Sequence, residues 1–135
     1  CCFLHDIGHL LLDENNDNID FLKEDLKHEL IGYRFLKNFL EDDITKPILL
    51  HVQAKRFLCT VNNEYYNSLS DASKESFKIQ GGKMTQEQCN TFRNNSHLNL
   101  ALTLREFEDI SKNKKTVICT DFDYIEKLLN EFIKI

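Results

Sequence analysis

The chain has 135 residues, of which 41% are hydrophobic and 29% charged, which excludes disordered and collagen-like proteins and suits one globular domain. The net charge of −5 disfavours nucleic-acid binding, because a phosphate backbone attracts a basic surface. No apolar run approaches the roughly 18 residues that a membrane-spanning helix needs, so we expect neither a nucleic acid nor a membrane as a partner.

The first predicted elements are helices, in line with four glycines and one proline in the whole chain. Residues 1–12 predict an apolar helix that ends in a polar loop. A second helix begins after a cap at Asp20 and runs to about residue 40, with apolar side chains three and four positions apart. Thr45 is predicted to cap a third helix, which has Pro47 in its first turn and continues to about residue 58.

The middle of the chain alternates irregular and helical patterns. Residues 62–70 look irregular, and a short helix is predicted to start at Ser70 or the next residue and to run to residue 79. Gly81 and Gly82 should end that helix, because glycine is a poor helix former and adopts turn conformations readily.

The last third of the chain again predicts helices with recognisable caps. Thr85 and Gln88 have the spacing of a capping box. Ser96 is predicted to cap a helix that runs to about residue 111, and Thr120 to cap a last helix over residues 121–132. The predicted fold class is therefore all-α, a helical bundle.

The five cysteines are an odd number and contain no C-x-x-C pair. That pattern disfavours both a disulfide framework and a thiolate zinc site. We interpret them as small apolar residues in a reducing compartment, and we expect a cytoplasmic location.

The strongest chemical signal is the run from His5 to His9, H-D-I-G-H. A histidine beside an aspartate can ligate one metal ion or two neighbouring ions, through an imidazole nitrogen and a carboxylate oxygen. His9 lies one helical turn after His5, so we expect both on the same face as Asp6. A buried hydrogen-bonded His–Asp pair is the alternative, and the motif alone does not decide between the two.

Three further side chains extend the pattern to other predicted helices. His28 and His51 follow at intervals of 23 residues, and Asp109 lies on the apolar stripe of the helix over residues 96–111. Each alone is most simply a satisfied polar group, but polar residues on several apolar helices that can converge favour a shared metal site.

The run L-H-D-I-G-H from Leu4 to His9 resembles the signature of the HD-domain superfamily of metal-dependent helical proteins. The spacing of the candidate ligands is similar to that of members holding two metal ions. Longer matches resemble the HD-domain diiron oxygenases that degrade organophosphonates, and the resemblance covers nearly the whole chain. These matches are residues 51–58 (H-V-Q-A-K-R-F-L), 69–73 (L-S-D-A-S), 79–84 (I-Q-G-G-K-M) and 104–109 (L-R-E-F-E-D).

This resemblance implies a mixed-valent Fe(II)/Fe(III) pair, with Asp6 bridging the two ions. The implied catalytic metal ligands are His5, Asp6, His28, His51 and Asp109. The implied substrate-binding residues are His9, Lys55, Ser73 and Gln80. Lys55 lies one helical turn after His51, so its ammonium can point into the same cavity and pair with a phosphonate oxygen.

The activity implied by the resemblance is that of a dioxygenase in phosphonate catabolism. With dioxygen, it would cleave the C–P bond of a small organophosphonate, a 2-amino-1-hydroxyalkylphosphonate, to an amino acid and phosphate. The alternative is an HD-type phosphohydrolase of phosphate esters that uses other divalent metals. A third hypothesis is a non-catalytic helical binding module.

The sequence also departs from the family pattern. The family's first histidine ligand lies on a helix before the H-D pair, at a position that precedes residue 1. We therefore expect residues 1–135 to be a single HD domain truncated at its N-terminus, with one of its two metals bound poorly. Lys83 stands at the family's usual proline and Phe107 at its tryptophan, changes that we expect to be tolerated.

Overall fold

The computed structural model describes residues 2–13, 28–113 and 122–134. Eight helices occur within these ranges, and the described residues contain no strand, only an isolated bridge between Leu40 and Ile133. The helices are α1 (Ile7–Asp13), α2 (His28–Leu36), α3 (Asp42–Val61), α4 (Asn63–Ser68), α5 (Asp71–Ile79), α6 (Gln86–Arg93), α7 (Leu98–Asn113) and α8 (Phe122–Asn130). The predicted all-α class is confirmed. None of the helices in these ranges is long and apolar enough to cross a membrane.

The long helix α3 organises the core. It packs against α7 on one side and α2 on the other, and α1 packs in turn on α2. One buried cluster joins Ala54 and Phe57 of α3 to residues of α6 and α7, and a second joins Ile48 to Leu36 and Leu40. The face of α3 between these clusters is therefore enclosed, and it carries the buried polar residues His51 and Lys55.

Helix α3 begins three residues earlier than the predicted cap at Thr45. Glu41 is the N-cap without a side-chain cap bond, and Asp42 and Asp43 place negative charge in the first turn, where the helix dipole favours it. Thr45 is fully buried inside the helix, and its hydroxyl donates to the Glu41 carbonyl at 3.2 Å. The predicted cap is wrong, and Pro47 lies in the second turn.

Helix α1 is shorter than the predicted helix over residues 1–12. It begins at Ile7, and residues 2–6 form turns in which the Ile7 N–H donates to the Leu4 carbonyl at 3.1 Å. His5 and Asp6 therefore lie immediately before the helix and not within it.

Helices α1 and α2 cross at two glycines. A Cβ atom on Gly8 would lie 1.9 Å from the carbonyl oxygen of His28, and one on Gly32 would lie 3.3 Å from the Gly8 nitrogen. Only hydrogen fits at Gly8, and a methyl group at Gly32 would be tight, so the two backbones approach closely here. The crossing brings the turn with His5 and Asp6 beside His28.

Three predicted features of the later helices are confirmed. Ser70 caps α5 by accepting from the Ser73 N–H, and the capping box at the start of α6 is complete. Gly81 and Gly82 end α5 with positive φ angles of 103° and 61°. Cys59 and Cys89 are buried, as expected for core cysteines, and neither they nor Cys2 form a disulfide within the described ranges.

Other boundaries differ from the prediction. Residues 62–70 contain α4, because the Asn62 side chain caps it by accepting from the Tyr65 N–H. Helix α7 begins at Leu98, and the preceding His97 N–H bonds to the Asn95 side chain, so Ser96 is not the cap. Helix α2 ends at Leu36, short of residue 40. The predicted caps at Asp20 and Thr120 lie outside the described residues.

Candidate metal centre

Three histidines each direct their Nε2 atom toward the Asp6 carboxylate. Nδ1 of His5 lies 2.7 Å from the Cys2 carbonyl, and Nδ1 of His51 lies 2.7 Å from the Ile48 carbonyl. A carbonyl only accepts, so both Nδ1 atoms carry the proton, and Nε2 presents its lone pair in the neutral ring. Nδ1 of His28 lies 3.6 Å from a carboxylate oxygen of Glu29. Such outer partners orient metal-binding histidines.

The first donor group lies between α2 and α3. The Nε2 atoms of His28 and His51 are 3.1 Å apart, and Asp6 Oδ1 lies 3.8 Å and 4.0 Å from them, respectively. Burial lowers the pKa of His51 to about 4, which keeps this ring neutral and able to ligate a metal at neutral pH.

The second donor group lies on the other side of Asp6. The Oδ2 atom of Asp6 lies 3.1 Å from His5 Nε2, and His5 Nε2 lies 4.0 Å from Glu108 Oε2. Burial alone would raise the pKa of Asp6, but the hydrogen bond and charge of His5, together with the charges that His51 and His28 carry at the acidic pH where the carboxyl titrates, outweigh burial and hold this pKa well below its usual range. The two oxygens of one ionised carboxylate thus face two separate donor groups.

Two buried atoms of the second group fit a metal ion. His5 Nε2 and Glu108 Oε2 make no aligned hydrogen bond within the described ranges, although Glu108 Oε2 forms an ion pair with Arg105. Ligand atoms bound to one ion at about 2.1 Å lie roughly 3 to 4 Å apart. The distances of 3.1 to 4.0 Å in both groups match that spacing, and imidazole with carboxylate suits iron and its divalent neighbours.

Asp109, a predicted ligand, does not lie in this cluster. Its carboxylate accepts from the Tyr65 hydroxyl at 2.6 Å and from Arg105 Nε at 3.1 Å, and it borders a second cavity of about 750 Å³. Neighbouring positions on an α-helix point about 100° apart, so Glu108 faces the histidines while Asp109 faces away. The α7 carboxylate that lies beside the histidines in the structure belongs to Glu108.

The four predicted substrate-binding residues line one cavity of about 330 Å³ next to the donor groups: His9, Lys55, Ser73 and Gln80. His9 stacks on His28 with ring centroids 4.0 Å apart. Donor atoms of Asp6, His9 and His28 all lie within 4.8 Å of one another, which places His9 at the edge of the cluster of possible ligands as well. Lys55 is 5% exposed, and its ammonium donates to Ser76 Oγ at 3.1 Å and Gln80 Oε1 at 3.2 Å.

The chain is similar to curated proteins that are named as phosphonate dioxygenases. No protein-family profile matches the chain. The chain is 46% identical to hydroxymethylphosphonate dioxygenase of Gimesia maris over 111 residues, 82% of this chain and 55% of that protein. It is 38% identical to the glycine-betaine-forming [1-hydroxy-2-(trimethylamino)ethyl]phosphonate dioxygenase of Leisingera caerulea, over 81% of this chain and 55% of that protein. The chain is a homologue of phosphonate dioxygenases.

This phosphonate dioxygenase homologue spans about half the length of the curated relatives it matches. An uncharacterized protein of Acanthamoeba polyphaga mimivirus is 39% identical over 97% of this chain and 60% of its own length. The predicted resemblance to phosphonate-degrading oxygenases is confirmed.

Sequence reasoning missed two residues of the site in this homologue. Glu108 and Asp109 both lie about one helical turn after Arg105, and the apolar stripe of the helix does not separate them. Arg105 was assigned no role, although it is 2% exposed and contacts both carboxylates. The sequence does contain a sign of this role: Arg105 lies on the apolar side of its helix, with acidic residues three and four positions later that a buried arginine could contact.

Proposed function

We propose that this chain carries the metal centre of a diiron oxygenase that cleaves the C–P bond of a 1-hydroxyalkylphosphonate. The observation that supports it most is the placement of Asp6, which directs one carboxylate oxygen toward His28 and His51 and the other toward His5. Such a carboxylate suits a bridge between two ions in a single HD-type helical domain.

The proposed ligands divide into two sets that share Asp6. His28 and His51 form one set, and His5 and Glu108 form the other. Iron held there would supply the activation of dioxygen and the oxidation of the hydroxylated carbon. The balanced reaction consumes one phosphonate and one dioxygen and yields a carboxylate, phosphate and one proton. An amino group on the neighbouring carbon would make the carboxylate product an amino acid.

The chain's own residues hold the substrate in this proposal. The buried ammonium of Lys55 faces the cavity beside the donor groups and attracts the phosphonate dianion strongly, because little water screens it there. Ser76 and Gln80 fix the ammonium, and Ser73 offers a hydroxyl from the same helix as Ser76. His9, stacked on His28, lies where it can contact both the substrate and the metal centre.

The two phosphonate dioxygenases among the relatives support the substrate class. Both names describe a phosphonate with a hydroxyl on the carbon bonded to phosphorus. That common part needs only a cation that binds the phosphonate and a site for the hydroxyl. The cavity that Lys55 lines lies beside the donor groups that would hold iron, and the hydroxyl would bind there.

The test is phosphate release by the iron-loaded protein under air and under argon. The substrates are hydroxymethylphosphonate, 2-amino-1-hydroxyethylphosphonate and a phosphate monoester as the control. We expect phosphate from a hydroxyphosphonate only in the presence of dioxygen. Oxygen-independent release from the monoester would instead show a phosphohydrolase and overturn the proposal.

A further inference from the structure

The guanidinium of Arg105 lies between the metal cluster and the second cavity. Arg105 is 2% exposed and comes from the middle of α7. Its Nη1 atom lies 2.8 Å from Glu108 Oε2, the oxygen that faces His5. A fully buried arginine contacts the single carboxylate that α7 contributes to the cluster, so its position determines where that carboxylate can lie.

The opposite edge of the guanidinium is held by two other residues. Nη2 and Nε of Arg105 contact the two carboxylate oxygens of Asp109, and Nε also donates to the Tyr65 hydroxyl at 2.8 Å. Tyr65 in turn donates to Asp109 at 2.6 Å. The planar guanidinium is thus fixed along one edge by a bidentate pair and presents its remaining corner to Glu108.

We propose that Arg105 is a positioning residue of the metal centre, which fixes the Glu108 carboxylate toward His5 while Asp109 and Tyr65 fix Arg105. This role rests on the proposed function, because it presumes a metal ion between His5 and Glu108. It gives Asp109 an indirect role: it anchors the arginine and does not ligate the metal.

Glu108 needs such support for a geometric reason. A glutamate side chain has several rotatable bonds, and holding one rotamer costs conformational entropy that a metal would otherwise have to offset on binding. The other Glu108 oxygen contacts Lys112, whose side chain is 52% exposed and therefore constrains it less. Arginine serves better than lysine here, because only its planar fork contacts two carboxylates in fixed directions.

The test measures metal affinity directly. The metal-free protein is titrated with Co(II) alone, and binding is followed by the visible absorption of the bound ion, which also reports its coordination geometry. We expect Arg105→Lys, which keeps the charge, to weaken binding roughly 10- to 100-fold, the usual cost of losing an outer-sphere partner. Arg56→Lys is the matched control, because Arg56 bonds to the Gly81 and Gly82 carbonyls away from the donor groups.

A double-mutant cycle separates positioning from general damage. In a Glu108→Gln background, Arg105→Lys should cause no further loss of affinity, because the carboxylate that it positions is gone. Equal losses in both backgrounds, or wild-type affinity in Arg105→Lys, would overturn the proposal. Failure of the wild-type chain to bind Co(II) would instead overturn the proposed metal centre itself.

Two milder variants decide the matter if Arg105→Lys fails to fold. Asp109→Asn and Tyr65→Phe leave Arg105 in place and each remove part of its anchor. Both should weaken Co(II) binding and alter the absorption spectrum while the protein still binds the metal. Wild-type affinity and spectrum in both folded variants would overturn the role of the anchor and with it the proposal.

Discussion

Glu108 Oε2 faces His5 Nε2 at 4.0 Å, across a gap in which neither atom makes an aligned hydrogen bond within the described part of the chain. Each atom has a charged neighbour, Arg105 Nη1 at 2.8 Å from Glu108 Oε2 and Asp6 Oδ2 at 3.1 Å from His5 Nε2. Buried polar atoms without aligned hydrogen bonds are nevertheless costly, which favours a further partner shared by the two. A metal ion between them would be such a partner, and it makes Glu108, and not its neighbour Asp109, the proposed ligand from α7.

The choice between Glu108 and Asp109 can be measured by metal content. Glu108→Gln removes the charge that we expect to bind the metal, so this variant should retain less iron per chain after reconstitution and desalting. Asp109→Asn should retain iron with reduced affinity, because it only loosens Arg105. Metal analysis of the two folded variants checks this, and the reverse order, with Asp109→Asn losing more iron, would restore the ligand predicted from the sequence.

Lys55 should govern substrate binding and not metal binding. Lys55→Gln removes the ammonium that we expect to pair with the phosphonate, so KM should rise by roughly tenfold or more, since each tenfold is about 1.4 kcal/mol. Iron content should stay at the wild-type level. Lys78→Gln is the control, because Lys78 is exposed and pairs with Glu75 on the same helix α5. An unchanged KM in Lys55→Gln would exclude this residue from the substrate site.

The glycine crossing between α1 and α2 should be intolerant of any side chain. Gly8→Ala would place Cβ 1.9 Å from the His28 carbonyl oxygen, so the backbones must separate, at an expected cost of about 3 kcal/mol or more in unfolding free energy. Gly82→Ala is the comparison, because nothing lies within 4 Å of its Cβ and only the positive φ of 61° opposes it, at about 1 kcal/mol. Denaturant unfolding of both variants checks this, and equal losses would contradict the close crossing.

The buried thiol of Cys59 should resist alkylation in the folded protein. Burial raises the pKa of Cys59, which lowers the fraction of the reactive thiolate at any given pH, and the side chain is fully enclosed. Exposed Cys2 should react with iodoacetamide at pH 8, and Cys59 only after denaturant is added. Peptide mass spectrometry distinguishes the two sites, and rapid labelling of Cys59 in the native protein would show that the core opens readily.

Local patterns predicted those parts of the fold that depend on local interactions. The capping box at Thr85, the cap at Ser70 and the break at the two glycines involve contacts within a few residues, and all three are confirmed. The start of α3 was mispredicted because a good capping residue, Thr45, is buried inside the helix by tertiary packing. Tertiary context overrides such local preferences.

The site was predictable as a set of residue types and less so in its geometry. Spacing grouped His5, Asp6, His28 and His51, and these are the side chains that the structure brings together. The choice between Glu108 and Asp109 depends on the rotation of α7 about its axis, and in the observed rotation Arg105 contacts Tyr65 on α4 as well as Glu108. A contact between residues so far apart in sequence leaves no trace in helical periodicity.

The claim that Asp6 bridges two metal ions is tested most directly by electron paramagnetic resonance of the iron-loaded, partly oxidised protein. A carboxylate-bridged Fe(II)/Fe(III) pair couples antiferromagnetically and gives the signal of a total spin of one half, whereas isolated Fe(III) gives the different signal of a single high-spin ion. Because one of the two metals is expected to bind poorly, iron is supplied in excess; we then expect that signal in the wild-type chain and its loss in Asp6→Asn, with Gly82→Ala as a control that keeps it. A spectrum of isolated Fe(III) alone in the wild-type chain would contradict a bridged pair.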